Sequence, residues 1–102
     1  MKLSIKERLL IGDLYPKEGN IMEQTMVRDM AGKTAITQEE MDQVNFRASD
    51  NGFVWDSDKA EDVEVEFTDA ELDVLRGSVD KLDREKKVTQ DNLDLCRKIK
   101  GI

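Results

Sequence analysis

Apolar and polar residues alternate with helical spacing in five segments of the chain, and several of these segments begin in the same way. Ser4, Thr37 and Thr68 each stand three residues before a glutamate, which is the S/T-x-x-E capping box. In this motif the hydroxyl and the carboxylate each accept a hydrogen bond from an amide at the helix start. Thr89 begins a fourth segment without the glutamate. The sequence therefore predicts helices at these positions and a further helix at 21–30.

Three stretches alternate with period two and predict strands. The segments 44–48 and 53–55 flank the turn 49–52, whose Asn-Gly pair tolerates positive φ, so we expect a hairpin. The segment 63–67 alternates in the same way and leads directly into the helix that begins after Thr68. The three strands offer one shared apolar face, made of Val44, Phe46, Ala48, Phe53, Trp55, Val63, Val65 and Phe67.

One apolar face and one polar face are typical of an antiparallel sheet that is covered by helices on one side. We therefore expect an α+β fold, with a three-stranded antiparallel sheet and helices packed on one face. The order of elements, three helices followed by a hairpin, is also that of a winged helix-turn-helix. A winged-helix-like topology is the leading specific form of this prediction.

Length and composition indicate a single folded domain over residues 1–102. No apolar run approaches the roughly 20 residues needed to cross a bilayer. Charges interrupt the apolar part of the first segment, so we expect no export signal. Cys96 is the single cysteine, which excludes an intrachain disulfide, and its helical neighbours predict a buried thiol. A reducing cytoplasm is the expected compartment.

The net charge of −7 is distributed unevenly along the chain. Residues 39–83 hold fifteen acidic and four basic side chains, whereas residues 84–102 hold three acidic and six basic ones. An acidic surface repels nucleic acid phosphates and anionic membranes, so neither is an expected partner. The candidate partner-binding site lies on the outward side of the third strand and at the following helix start. We call it the acidic face, and it consists of Glu64, Glu66, Asp69 and Asp73.

Residues suited to catalysis or cofactor binding are scarce. The chain has no histidine, which removes the commonest general base and the usual zinc ligand. The six glycines are scattered, and no phosphate-binding loop appears. The segment 56–58 begins like an EF-hand loop, but Ala60 and Glu61 occupy positions that need an oxygen ligand and a glycine. We therefore expect a non-enzymatic protein without a cofactor or a metal.

Four segments resemble parts of small proteins of unknown function that phages and prophages encode. They are LSIKERLLIGDLYPKEGN at 3–20, TQEEMD at 37–42, VWD at 54–56 and EVEFTDAELDVLRGSVDKLD at 64–83. The resemblance implies an accessory or assembly role in a virus or mobile element. It carries no catalytic or ligand-binding residues with it.

These observations favour a protein-interaction module that presents an acidic surface or pairs through an apolar helix face. One alternative is a winged-helix-like, nucleic acid-associated regulator. Another is a structural subunit that forms a homo-oligomer. The regulator would contact phosphates through the basic residues near the end of the chain, which are Arg84, Lys86, Lys87, Arg97, Lys98 and Lys100.

Overall fold

Helices and short strands together make up the fold, and the α+β expectation is confirmed. The computed structural model describes all of residues 1–102. The helices are α1 (Ile5–Ile11), α2 (Ile21–Thr34), α3 (Gln38–Gln43), α4 (Asp69–Arg84) and α5 (Leu93–Lys100). The strands are β1 (Lys2–Leu3), β2 (Arg47–Ser49), β3 (Gly52–Val54) and β4 (Val63–Glu64).

The expected three-stranded sheet is wrong, because the strands form two separate antiparallel pairs. The predicted hairpin exists, with β2 paired to β3 and Ala48 opposite Phe53. Strand β4 instead pairs with β1, where Leu3 lies opposite Val63. The backbone amide of Val65 extends this pairing by donating to the carbonyl of Met1 at 2.8 Å. A strand of two residues is too short to show alternation, so β1 could not be predicted from periodicity.

The shared apolar face is also wrong, because the hairpin lies outside the core. Only Val44 and Val65 of its eight expected members are buried. All six residues of β2 and β3 are exposed. The hairpin aromatics stack on one another instead, with ring centroids 5.1 Å apart for Phe46 and Phe53 and 5.8 Å apart for Phe46 and Trp55.

One apolar cluster joins β1 to the helices. Its members from α4 and α5 lie on the inner faces of these helices, and Leu75 and Ile99 are almost completely buried. Cys96 belongs to the cluster, which confirms the predicted burial of the thiol. Burial raises the pKa of Cys96, and the negative charge of Asp83 raises it further. The cluster consists of Leu3, Ile11, Leu14, Tyr15, Met30, Val65, Leu75, Val79, Leu95, Cys96 and Ile99.

The predicted capping boxes at Ser4, Thr37 and Thr68 are confirmed. A fourth box was missed at the start of α2, where the Asn20 side chain accepts from the amide of Glu23 at 2.8 Å. Asparagine is as good an N-cap as serine, so this local signal was present in the sequence. The caps fix where each helix begins and therefore which side chains face the core.

The last predicted helix begins later than expected. Thr89 and Asn92 exchange hydrogen bonds, since the Thr89 amide donates to the Asn92 side chain at 2.8 Å and the Asn92 amide donates to the Thr89 hydroxyl at 3.3 Å. These bonds close a turn rather than a helix start, and α5 begins at Leu93. None of the helices combines the length and the apolar composition that crossing a membrane requires.

Candidate functional site

A groove of about 610 Å³ lies between the helices and the hairpin. Eight of its eleven lining residues are apolar. We call this surface the hairpin groove. The helices and the turn after α1 contribute Leu9, Gly12, Ala31 and Met41 to it, and the hairpin region contributes Phe46 and Phe53.

The walls of the hairpin groove carry large apolar side chains that the chain itself leaves uncovered. Leu9 is 38% exposed and Phe53 is 56% exposed. Gly12 and Ala31 also line the groove and are small, and a methyl group added at Gly12 would meet no atom within 4 Å. Full burial of one large apolar side chain stabilises by about 1.5–3 kcal/mol, so a partner that covers the exposed part of Leu9 or Phe53 would gain a fraction of that for each.

A buried ion pair holds one end of the groove. Arg8 is 5% exposed, and its Nη1 donates to Glu40 Oε1 at 3.1 Å while its Nη2 donates to Glu40 Oε2. The hydrogen bond from Arg8 holds the pKa of Glu40 below its usual range, against the opposing effect of burial and with help from the Thr37 backbone. This two-bond contact fixes α3 against α1, and so positions Met41 in the groove wall.

A second polar contact holds the α2 side of the groove. The hydroxyls of Tyr15 and Thr34 are hydrogen-bonded at 2.8 Å, and the Tyr15 hydroxyl lies 3.3 Å from the carbonyl oxygen of Met30. Burial raises the pKa of Tyr15, so the phenol remains a neutral donor. The helical part of the groove is thus held by these polar contacts, although the buried Nε of Arg8 has no hydrogen-bond partner.

Backbone and charge contacts at its base hold the hairpin in place. The Asp56 amide donates to the Val44 carbonyl at 2.7 Å, and the Asp56 carboxylate lies 3.6 Å from the Arg47 guanidinium. The turn relies on Gly52, whose φ of +127° is one that side-chain-bearing residues rarely adopt. Trp55 is the only tryptophan of the chain and stacks on Phe46, so its fluorescence reports directly on this region.

The acidic face is exposed, but one of its members is already paired. Glu64 accepts from the amino group of Met1 at 2.9 Å, and this hydrogen bond lowers the pKa of Glu64. Glu66, Asp69 and Asp73 are exposed and form no ion pair. A depression of about 310 Å³ beside Glu66 is lined by Met1, Val65, Phe67 and Leu72.

Half of the six basic residues near the end of the chain are neutralised within the fold. Lys87 lies 3.2 Å from Glu85, Lys98 lies 2.7 Å from Glu7, and Lys100 pairs with Asp80. The three basic residues that form no ion pair are Arg84, Lys86 and Arg97. The tail therefore offers fewer cations to a phosphate backbone than its sequence indicates.

Sequence reasoning missed the hairpin groove. It assigned Phe46 and Phe53 to a buried sheet face, and no local pattern distinguishes an aromatic strand that packs inwards from one that packs on itself. The one available signal was the shortness of the predicted strand 53–55, since a two-stranded hairpin is rarely stable by itself.

Comparisons with protein-family models, with curated proteins and with solved structures find no match to this chain. The structure also contains no group of three or more Cys, Asp or Glu side chains placed to hold a metal ion. We therefore infer function from the geometry and charge of the surfaces described above.

Proposed function

We propose that this protein is a non-enzymatic protein-interaction module, of the accessory kind that phages and prophages encode, and that the hairpin groove is its contact surface. The observation that carries this proposal is a groove of about 610 Å³ whose walls expose Leu9 and Phe53. The cytoplasm is the proposed compartment, and the unpaired thiol of Cys96 supports it.

The composition of the groove supports a role in protein binding. Protein interfaces are enriched in aromatic residues and methionine, and the groove combines Phe46 and Phe53 with Met41. Energetically dominant contacts of this kind lie in well-packed pockets at the centre of an interface. An apolar surface rimmed by polar residues is a common mark of such a site.

Affinity capture with a matched pair of variants tests the proposal. The tagged protein and its Phe53→Ser variant are exposed to lysate of the cell that produces the protein. The control is Met22→Ser, since Met22 is 70% exposed but does not line the groove. We expect the wild type and Met22→Ser to retain the same partner and Phe53→Ser to lose it. Equal capture by all three proteins would contradict the proposal.

A winged-helix-like, nucleic acid-associated regulator is the second candidate, favoured by the order of helices and hairpin and by the unpaired Arg84, Lys86 and Arg97. Such a regulator would bind duplex DNA with steep salt dependence, because each phosphate contact releases counterions. Replacing these three residues by glutamine should then abolish a gel shift. Absence of any shift with the wild type at low salt would exclude this candidate.

A further inference from the structure

Charges next to the hairpin groove are mostly neutralised within the fold. The charged residues that directly precede or follow a lining residue are Glu7, Asp13, Lys33, Glu40, Asp42 and Arg47. Four of the six form ion pairs, which are Glu7 with Lys98, Lys33 with Glu71, Glu40 with Arg8, and Arg47 with Asp56.

The two that remain are both carboxylates. Asp13 and Asp42 are exposed and form no ion pair, although Gln38 donates a hydrogen bond to Asp42 at 3.0 Å. Arg8, the one cation that lines the groove, is buried and occupied by Glu40. The unpaired charges that directly follow a lining residue in the sequence, Asp13 after Gly12 and Asp42 after Met41, are therefore negative, which favours a cationic partner.

The shortness of the hairpin strands favours a helix over an extended peptide. The groove is lined by two small residues, Gly12 and Ala31, as well as by the larger Leu9, Met41 and Phe53. An extended peptide would instead add to the edge of the hairpin, but β2 and β3 are only three residues long. So short an edge offers few main-chain hydrogen bonds.

We infer that the hairpin groove binds a basic amphipathic helix of a different protein, an inference that rests on the function proposed above. The apolar face of this helix covers Leu9, Met41 and Phe53, and its lysines or arginines face Asp13 and Asp42. Binding of an apolar helix face in a hydrophobic groove is a common mode of peptide recognition.

A second copy of this chain is a poor occupant. Two chains that each carry a net charge of −7 repel one another. The basic helix that the chain does contain, α5, cannot supply the ligand, since its apolar residues Leu95, Cys96 and Ile99 are all at most 4% exposed within the core.

Titration with designed peptides tests the inference through the fluorescence of Trp55. The probe is a synthetic helical peptide with leucines on one face and lysines on the other. One control carries glutamates in place of the lysines, and a second has the composition of the probe in scrambled order. We expect saturable binding of the probe, about tenfold or more tighter than of either control, and weaker binding as salt increases.

Variants locate the binding surface. Phe53→Ser should weaken probe binding by about tenfold or more, and Asp13→Asn with Asp42→Asn should remove much of its salt dependence. Two variants should leave the affinity unchanged. One is Met22→Ser, and the other is the acidic-face variant, which combines Glu66→Gln with Asp69→Asn. Loss of binding in the acidic-face variant, with the groove variants unaffected, would overturn the inference.

The remaining outcomes separate this inference from the proposed function. If a protein is captured in a Phe53-dependent manner but the lysine-faced probe binds no better than its glutamate counterpart, the inference fails and the proposed function stands. If capture does not depend on Phe53, the proposed function itself fails. A dimer in sedimentation experiments that dissociates on Phe53→Ser substitution would show that a second copy occupies the groove, and would overturn the inference.

Discussion

The two small sheets of this protein have the same antiparallel pairing but opposite relations to the core. In the β1–β4 sheet, Leu3 is 0% exposed, and Val65, which follows β4, is 4% exposed. In the hairpin, by contrast, every residue of β2 and β3 is exposed. Apolar and polar residues alternate both in the segment 63–67, which contains β4, and in the hairpin, so burial depends on which helices cover a strand and not on its pattern.

Under the function proposed above, this difference separates stability from recognition within 102 residues. The β1–β4 sheet and the long helices bury the apolar cluster on which stability depends. The hairpin contributes little to that cluster and presents its aromatic side chains to solvent, where a partner can reach them. Recognition surfaces on loops and hairpins that project from a stable scaffold are common in proteins.

The largest expected effect is on the core side of the comparison. Leu75→Ala in α4 removes a side chain that is 0% exposed, and should lower the free energy of unfolding by about 4 kcal/mol through lost burial and the cavity left behind. Urea denaturation followed by far-ultraviolet circular dichroism measures this loss. A loss below about 1 kcal/mol would mean that α4 is not part of the stabilising core.

The ion pair that holds the groove comes next. Glu40→Gln retains the capping contact but leaves the Arg8 side chain, 2% exposed, without its counter-charge, which should cost about 3 kcal/mol. Replacing both residues together, Arg8→Met with Glu40→Leu, should recover part of that loss, because no buried charge then remains unpaired. An unchanged unfolding midpoint for Glu40→Gln would show that α3 is held by other contacts.

Acid should destabilise the helical part of the molecule through three carboxyls. Burial raises the pKa of Glu7, but hydrogen bonds from Lys98 and Ser4 outweigh this effect. Burial also raises the pKa of Glu71, but hydrogen bonds from Lys33 and Thr68 outweigh it. The pKa values of these two carboxyls and of Glu40 therefore all lie below the ordinary 4.5. Their contribution to stability is therefore complete above the ordinary pKa and is lost as the pH falls through the lowered values.

Urea denaturation at a series of pH values checks this dependence. The midpoint should be nearly constant above about pH 5 and should fall steadily below about pH 4.5. Glu71→Gln, which removes one of the three groups, should make the fall shallower. A midpoint that rises on acidification would mean that these carboxyls are not stabilised by their cationic partners in the folded state.

The helix caps provide a smaller and more local test. Thr68 Oγ1 accepts from the Glu71 amide at 3.1 Å at the start of α4, and Thr68→Ala should cost about 1 kcal/mol, or several degrees in the melting temperature. Thr37→Ala, at the start of α3 beside the groove, is the matched variant. Calorimetry that shows no change for Thr68→Ala would mean that this cap does not stabilise α4.

Local features of the fold could be predicted from the sequence, and distant contacts could not. The caps at Ser4, Thr37 and Thr68 depend on residues three positions apart, and the hairpin depends on the turn that ends at Gly52. The partner of β4 lies about sixty residues away in β1, a strand too short to produce any periodic signal.

The candidate site was hidden for a related reason. Phe53 and Leu9 each have apolar neighbours at core-like spacing, and their exposure follows from how α1, α2 and the hairpin are placed in space. The acidic face is exposed as its sequence indicates, but the contact between Glu64 and the amino group of Met1 depends on the same unexpected pairing of β1 with β4. The acidic character of this face could be predicted from the sequence, whereas the ion pair that neutralises Glu64 could not.

One paired measurement on Phe53→Ser tests most directly whether recognition and stability are separated in this molecule. The free energy of unfolding and the affinity for the lysine-faced peptide are determined on the same preparation and compared with wild type. Because Phe53 is 56% exposed and stacks only within the hairpin region, we expect a stability loss below about 1 kcal/mol together with an affinity loss of about tenfold or more. A large loss of stability with unchanged affinity would contradict the account.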